Sequence, residues 1–368
     1  MKKTIEIDGH KIGPGKRPYI IAELSCNHNG SIEKAYRIME KVAATGVDAI
    51  KLQTYEADSI TMDGPQDFYR LNHKLWNNMS YYELYKKAET PFSWMEKLFA
   101  KGKELGITVF STPFDETAAD LLIGLDAPAF KIASFENGHI PLIEKVARTG
   151  KPLIMSTGMI SEEEIGIAVK TARDAGCKDL ILLHCVSAYP GRIEDLNLAT
   201  ITDMEKKFDV MVGLSNHYIG PSPTHPDLEA IYAAFKQGAV ALEMHVMENE
   251  EDRTFDDAFS ITPESFRSLV DGVDAGIKGP LTEKQKLAVG TVNYEIAEGE
   301  KGSIPIRPAI KASRAIKKGE VFTAENMVVR RPNVGLNPQH WHSLIGKTAN
   351  QDIDFADGIT AEMVREKL

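Results

Sequence analysis

The sequence predicts an α/β protein: a (β/α)8 barrel followed by a small β-rich domain. Three observations carry that prediction. Eight short β-branched or apolar runs each stop abruptly on polar residues. Most of the stretches between them have the apolar spacing of amphipathic helices, and several close on a glycine such as Gly46, Gly106, Gly150, Gly176 or Gly238, as helix C-termini commonly do. The alternation lasts about 250 residues, the usual extent of such a barrel, before the composition changes near residue 303.

Taken in order, the predicted strands lie at 19–22, 49–50, 107–110, 129–130, 152–155, 180–183, 210–214 and 239–242, with helices at 32–45, 91–105, 141–148, 162–175 and 228–236. The turn Gly13-Pro14-Gly15-Lys16 precedes the first strand and opens no helix, so it is not a phosphate loop. A doubly wound open sheet is the rival architecture, but it needs fewer strands and often a glycine-rich loop. One connection breaks the rhythm. Residues 54–90, with Tyr69, Trp76, Tyr81, Tyr82 and Tyr85, leave the end of the second strand. There a long loop either binds or covers a ligand or forms a satellite packing cluster. The expected domains are a barrel over 1–280, a linker over 281–302 and a small β-rich domain over 303–368.

Composition narrows the function classes. With Lys+Arg 43 against Asp+Glu 53, the formal charge of −10 argues against bulk nucleic-acid binding but leaves room for a local cationic pocket. No apolar run approaches the roughly 20 residues that span a bilayer. The start Met1-Lys2-Lys3-Thr4-Ile5-Glu6 lacks the apolar stretch of a secretory signal. Three cysteines, Cys26, Cys177 and Cys185, suit a reducing compartment. The expectation is a cytoplasmic protein with neither a membrane nor a nucleic acid as partner.

In a barrel of this kind the chemistry sits at the C-terminal ends of the strands. Those ends supply Glu23 with Asn27 and His28, Lys51 with Gln53, Ser111 with Thr112, and Lys131 with Ser134. They continue with Ser156 and Thr157, His184 and Ser187, Ser215 and His217, and Glu243 and His245. Any one of these has an ordinary reading as a cap, a turn or an ion-pair member; converging on one rim, they read as a site. Lys51 and Lys131 with Ser134, Ser156 and Ser215 form a donor-rich cationic cup suited to a phosphate and a carboxylate together. His217 and His245 end adjacent strands, a common start to a divalent-metal site that Glu23, water or a substrate oxygen would complete. Cys185 reads as core, and His340 and His342 as loop histidines.

These stretches also carry a likeness. Ala22-Glu23-Leu24-Ser25 with Asn27 and His28, Ile50-Lys51-Leu52-Gln53, Ser111-Thr112-Pro113-Phe114-Asp115 and Phe130-Lys131-Ile132-Ala133-Ser134 are part of it. So are Met155-Ser156-Thr157-Gly158, Ser187-Ala188-Tyr189-Pro190, Gly213-Leu214-Ser215 with His217, and His245. Through them nearly the whole chain resembles the sialic-acid synthase family. The resemblance implies a TIM barrel with a C-terminal antifreeze-like (SAF) domain, arranged as a domain-swapped homodimer. It implies condensation of phosphoenolpyruvate with an N-acetylated sugar to a nine-carbon 2-keto acid and phosphate. Lys51 and Lys131, with Thr112, Ser134, Ser156, Ser187 and Ser215, would hold phosphoenolpyruvate. His217 and His245 would hold manganese, or magnesium or cobalt. Glu23 would act in the water addition, and Glu23, Tyr189, Asp256 and the partner chain's copy of Arg307 would meet the sugar or intermediate. Leu75-Trp76 and the aromatic excursion are most similar to the branch that makes pseudaminic acid from 2,4-diacetamido-2,4,6-trideoxy-altrose. N-acetylneuraminate and legionaminate synthesis are the alternatives. Asn216, Met244 and Phe255 stand where the family usually has Asp, Lys and Pro, which leaves open a catalytically weakened sugar-binding homologue.

Overall fold

The structure is a computed structural model that describes residues 4–71 and 79–367; Leu75 and Trp76 lie outside the described residues. An antiparallel hairpin, β1 (Ile5–Ile7) and β2 (His10–Ile12), comes first. Eight parallel strands follow: β3 (Tyr19–Glu23), β4 (Ala49–Thr54), β5 (Thr108–Pro113), β6 (Phe130–Ile132), β7 (Leu153–Ser156), β8 (Leu180–Cys185), β9 (Met211–Asn216) and β10 (Ala241–Val246). Each pairs with the next, and β10 returns to β3 in register from Ala241 with Tyr19 to His245 with Glu23, so the barrel is closed. The short β11 (Ser260–Ile261) extends alongside β10.

The period of two along each strand decides what faces where. Ile20, Ala22, Ile50, Leu52, Leu242 and Met244 face the helix layer and share its core. The alternate residues Tyr19, Ile21, Ala49, Phe110, Ile154 and Ala241 fill the lower barrel interior together with Ile5, Ile7 and Ile12 of the hairpin. Burying each hairpin isoleucine is worth roughly 1.5–3 kcal/mol. The hairpin therefore plugs the N-terminal end, and the open mouth lies at the C-terminal end. Gly213 occupies an inward position with no room for a side chain: a Cβ would lie 2.5 Å from Ala241 O and 2.7 Å from Leu183 Cδ2.

The helices are α1 (Ile32–Ala43), α2 (Ala57–Ile60), α3 (Tyr81–Ala88), α4 (Phe92–Leu105), α5 (Glu116–Gly124), α6 (Ile140–Ala147), α7 (Glu162–Asp174), α8 (Ala199–Phe208), α9 (Leu228–Lys236), α10 (Pro263–Asp274) and α11 (Glu283–Val289). Two barrel helices, α5 and α8, were not apparent in the sequence. Neither has a glycine in its closing left-handed turn: Asp126 and Asp209 take that conformation instead, at φ 53° and 50°, which aspartate tolerates better than most residues. The stretch 281–302 also holds α11, fastened to the barrel by Lys236 Nζ to Gln285 Oε1 (2.8 Å) and Leu198 N to Ala288 O (3.0 Å).

The small domain contains the antiparallel pair β12 (Ala309–Ala312) and β13 (Met327–Arg330), then α12 (Trp341–Leu344), around Ile310, Ile316, Phe322, Trp341, Leu344 and Ile353. It sits on the barrel of its own chain, and the described residues 55–71 and 79–85 are its seat. Tyr55, Tyr81, Tyr85 and Phe114 cluster with Ile306, while Met62 and Tyr69 pack against Val328 and Ala356. Tyr69 OH donates to Ala356 O at 2.9 Å, and the Arg331 N–H donates to Ile60 O at 3.0 Å. Among the described residues no helix is long and apolar enough to cross a membrane.

Candidate active site

One step above the apolar interior, the same inward parity selects one residue from each strand: Glu23, Lys51, Thr112, Lys131, Ser156, Cys185, Ser215 and Glu243. All are buried. Lys51 ion-pairs with Glu23, donates to Thr112 Oγ1 at 3.0 Å and lies 3.6 Å from Glu243. Lys131 meets the other Glu243 oxygen at 3.5 Å, and Ser215 Oγ lies 3.4 Å from Glu243. Two cations and two anions are thus enclosed together. Burial works against the Lys51 ammonium, yet Glu23 and Glu243 hold its pKa above the usual lysine value. For Lys131 burial wins over Glu243, with Lys51 adding repulsion, and its pKa falls. Burial also opposes the Glu243 carboxylate, but Lys131 and Lys51 outweigh it and keep the acid well below the ordinary range. Buried Ser156 Oγ has no hydrogen-bond partner among the described residues. An under-compensated buried lysine beside an unpartnered hydroxyl is an arrangement that an anion would complete.

Around this layer stands a second tier. Gly158 N–H donates to Ser134 Oγ at 3.1 Å, and a Cβ at Gly158 would collide with the hydroxyls of both Ser134 and Ser187. Glycine there is what lets the two hydroxyls converge. Cys185 lies 3.5 Å from Ser187 Oγ and 3.8 Å from His217 Nδ1. Burial alone would raise the thiol pKa, but His217 pulls it below the usual value. Burial likewise disfavours the His217 imidazolium, and Cys185 raises its pKa in return.

His217 and His245 stand with ring centroids 5.5 Å apart, and Phe259 packs against both. His217 Nδ1 faces Val186 O at 3.1 Å, and His245 Nδ1 faces Asp256 Oδ2 at 3.4 Å. Ser25 holds the same Asp256 oxygen and receives a bond from Gln53 at 2.9 Å. Burial would raise the Asp256 pKa, but His245 and Ser25 bring it below the ordinary value. With Nδ1 of both rings turned to protein acceptors, Nε2 of each is left as the ligating atom, the usual disposition of metal-binding histidine. The donor set fits a divalent ion. Among the described residues no group of three or more His, Cys, Asp or Glu side chains gathers to hold one, so water or substrate oxygens would fill the remaining positions.

The residues read from sequence divide by geometry. Glu23, Lys51, Thr112, Lys131, Ser156 and Ser215 share the ionic layer with Glu243, while Ser134, Ser187, His217, His245 and Asp256 line the tier above it. Tyr189, 39% exposed, forms the rim with its ring 4.5 Å from that of His217. Arg307 is elsewhere: it bonds Glu164 at 2.7 Å and Met159 O at 3.2 Å. The full rim does not converge as expected. Ser111 bonds Thr54, and His184 bonds Leu196 O at 2.6 Å, because both occupy the outward parity. Met244 is packed in the helix layer, and Asn216 is turned to Tyr218 O at 2.6 Å, so neither unusual residue touches the cup.

Sequence reading placed Glu243 on the rim but gave it no part in the cup, and it missed two further participants. Cys185, read as core, faces the cup. Arg331 of the small domain reaches to Glu136 (2.6 Å) and Tyr85 OH (3.0 Å) with its guanidinium 4.5 Å over the Phe135 ring, which in turn stacks toward Tyr189. Only the fold brings those residues together.

A closed parallel barrel whose mouth holds buried lysines, gathered hydroxyls and a histidine pair defines a TIM-barrel enzyme with its polar groups at the strand ends. The chain belongs to the NeuB family, whose model matches residues 38–279; a SAF domain matches 307–365. It is 36% identical over 344 residues to the pseudaminic acid synthase of Campylobacter jejuni strain 81-176, covering 94% of this chain and 96% of that one. It is 35% identical over 351 residues to the pseudaminic acid synthase of Helicobacter pylori, covering 95% and 99%. The crystal structure of the spore coat polysaccharide biosynthesis protein SpsE from Bacillus subtilis matches with TM-score 0.82 at 29% identity, covering 99% of this chain and all of that one.

Proposed function

We propose that this enzyme condenses phosphoenolpyruvate with an N-acetylated amino sugar to give a nine-carbon 2-keto sugar acid and phosphate. The carrying observation is the layer of one polar residue per strand, with two buried lysines, beneath the histidine pair. The pseudaminic acid synthases among its relatives support 2,4-diacetamido-2,4,6-trideoxy-altrose as the sugar and pseudaminic acid as the product.

Lys51 and Lys131, with Thr112, Ser134, Ser156, Ser187 and Ser215, bind the phosphate and carboxylate of phosphoenolpyruvate. C3 of the enol attacks the aldehyde carbon of the open-chain sugar, forming the new carbon–carbon bond. The aldehyde oxygen takes up a proton to become the new hydroxyl, and water adds at the electron-poor C2, passing a proton to Glu23. The bond from C2 to the phosphate oxygen then breaks, leaving the ketone and inorganic phosphate. Donors already fixed in a buried cup meet the developing charge without reorganising. Manganese, or magnesium or cobalt, held by His217 and His245 would supply Lewis acidity to the aldehyde oxygen. Tyr189 and Asp256 hold the sugar at the rim. Of the small-domain arginines we assign the sugar side to Arg331, since Arg307 is engaged by Glu164. In a swapped homodimer the same contacts, Arg331 with Glu136 and Tyr69 with Ala356, would form between chains, because domain exchange preserves the interface. Three free buried cysteines fit a cytoplasmic setting.

The test is phosphate release from phosphoenolpyruvate with manganese, offering the altrose sugar, N-acetylmannosamine and the legionaminic precursor, each with an EDTA control. Chelator-sensitive release with the altrose sugar alone supports the full reading. Release with another sugar keeps the chemistry and moves the substrate. No release with any of them overturns the proposal.

A further inference from the structure

We propose that the segment joining the two domains shapes the anion cup, with Glu300 and Arg307 as positioning residues acting through the backbones of Met159 and Ser187. The inference rests on the phosphoenolpyruvate reading above and concerns what holds that cup in shape.

Glu300 is buried, and one of its carboxylate oxygens accepts the N–H groups of both Ser187 (2.7 Å) and Met159 (3.0 Å). The other accepts Ala297 N–H at 2.9 Å, closing the turn that presents it. Ser303 Oγ donates to Ser187 O at 3.0 Å, and Arg307 Nη1 donates to Met159 O at 3.2 Å. Both polar backbone groups of Met159, and both of Ser187, are therefore taken by one stretch of chain that lies outside the barrel. Hydrogen bonds to a carboxylate or from a guanidinium are about twice as strong as neutral ones.

The two gripped residues are the ones that set the cup. Met159 follows Gly158, whose N–H bonds Ser134 Oγ, and Ser187 carries its own hydroxyl to the same point. Met159 is held at φ 59°, in the left-handed region. A non-glycine residue there costs on the order of 1–3 kcal/mol and persists only where its surroundings over-determine it. The joining segment, through Glu300 and Arg307, is what over-determines Met159. Approach is close throughout, since a Cβ on Gly299 would lie 2.9 Å from Ala188 Cβ. Loss of the carboxylate releases two N–H groups at once and lets both loops relax, moving the Ser134 and Ser187 hydroxyls relative to Lys131.

The experiment titrates full-length wild type, E300A, E300Q and R307A with phosphoenolpyruvate by calorimetry, and follows amide exchange at Met159 and Ser187. E298A is the control, since Glu298 is exposed on the solvent side and paired with Lys301. Positional errors of about 1 Å cost up to roughly 100-fold, so E300A weakens phosphoenolpyruvate roughly 10- to 100-fold, R307A weakens it less, and E300Q, which keeps one acceptor oxygen, recovers most of the loss. Amide exchange at Met159 and Ser187 accelerates in E300A and R307A. A purely structural role would lower the fraction of competent protein, read as stoichiometry, and leave Kd unchanged. Should E300A fail to fold, R307A carries the test, because it leaves the Glu300 bonds in place. Wild-type affinity in E300A or in R307A, with unchanged exchange, overturns this inference alone. A wild-type protein that does not bind phosphoenolpyruvate overturns the functional reading and this inference with it.

Discussion

Replacing Glu243 with glutamine keeps the shape of the ionic layer and removes the charge shared by both lysines. Glu243 lies 3.6 Å from Lys51 and 3.5 Å from Lys131. At those separations and an effective dielectric near 20, each contact holds roughly 4–5 kcal/mol of Coulomb attraction. Desolvation offsets much of this in the intact protein, but removing one member of a buried pair strands its partner and costs roughly 3–5 kcal/mol. E243Q is therefore expected to lose about that much stability in urea unfolding. Two further results belong to the same reasoning. E243Q/K131M regains most of the loss, because the uncompensated cation leaves with the anion. Phosphoenolpyruvate or inorganic phosphate stabilises E243Q more than wild type, since the ligand supplies the missing negative charge. An E243Q protein within about 1 kcal/mol of wild type, with no coupling to K131M, would refute the picture of a charge-balanced layer.

Other outcomes follow from the same contacts. Lys311 is buried between the rings of Phe68 (4.8 Å) and Tyr69 (5.4 Å), and burial lowers its pKa from 10.5 to about 7 despite Asp357. The unfolded chain then binds more protons between about pH 7 and 10.5, so the penalty is full below pH 7 and stability rises with pH across that window. K311M should accordingly gain most over wild type at pH 6 to 7, with the gap closing toward pH 10, as measured by urea unfolding at a series of pH values. R331A leaves Glu136 buried and alone, at a cost of roughly 3–5 kcal/mol. It should expose the small-domain interface to proteolysis, and R331K should not rescue it, because a lysine cannot both pair with Glu136 and stack on Phe135. H217N should abolish chelator-sensitive turnover while leaving urea unfolding close to that of wild type.

How much of this was legible in the sequence depends on whether the signal was local. The eight strands could be read because each apolar run ends on polar residues at one rim. Seven members of the ionic layer could be read because strand ends carry the chemistry of a barrel, all but Cys185. Parity would have refined the reading. Glu243 shares the face of His245, whereas His184 and Ser111 are outward, a distinction visible once each run is indexed by twos. The helices α5 and α8 were hidden because aspartate, and not glycine, makes their closing turns. Residues whose partners are remote in sequence were not legible at all. Arg331 meets Glu136 across 195 positions and Glu300 meets Met159 across 141. Nothing local marks either one. The excursion at 54–90 was ambiguous between lid and packing cluster, and its described residues pack against the small domain.

The central claim is that carbon–carbon bond formation and phosphate loss occur together in this mouth, with cleavage on the carbon side of the bridging oxygen. The most direct measurement supplies phosphoenolpyruvate labelled with 18O at the bridging C–O–P position, together with the altrose sugar and manganese. Mass spectrometry then follows both products. The account predicts a nine-carbon keto acid free of label, phosphate carrying all of it, and neither product in the K131M protein. Label retained in the organic product, or phosphate released without the sugar, would contradict it.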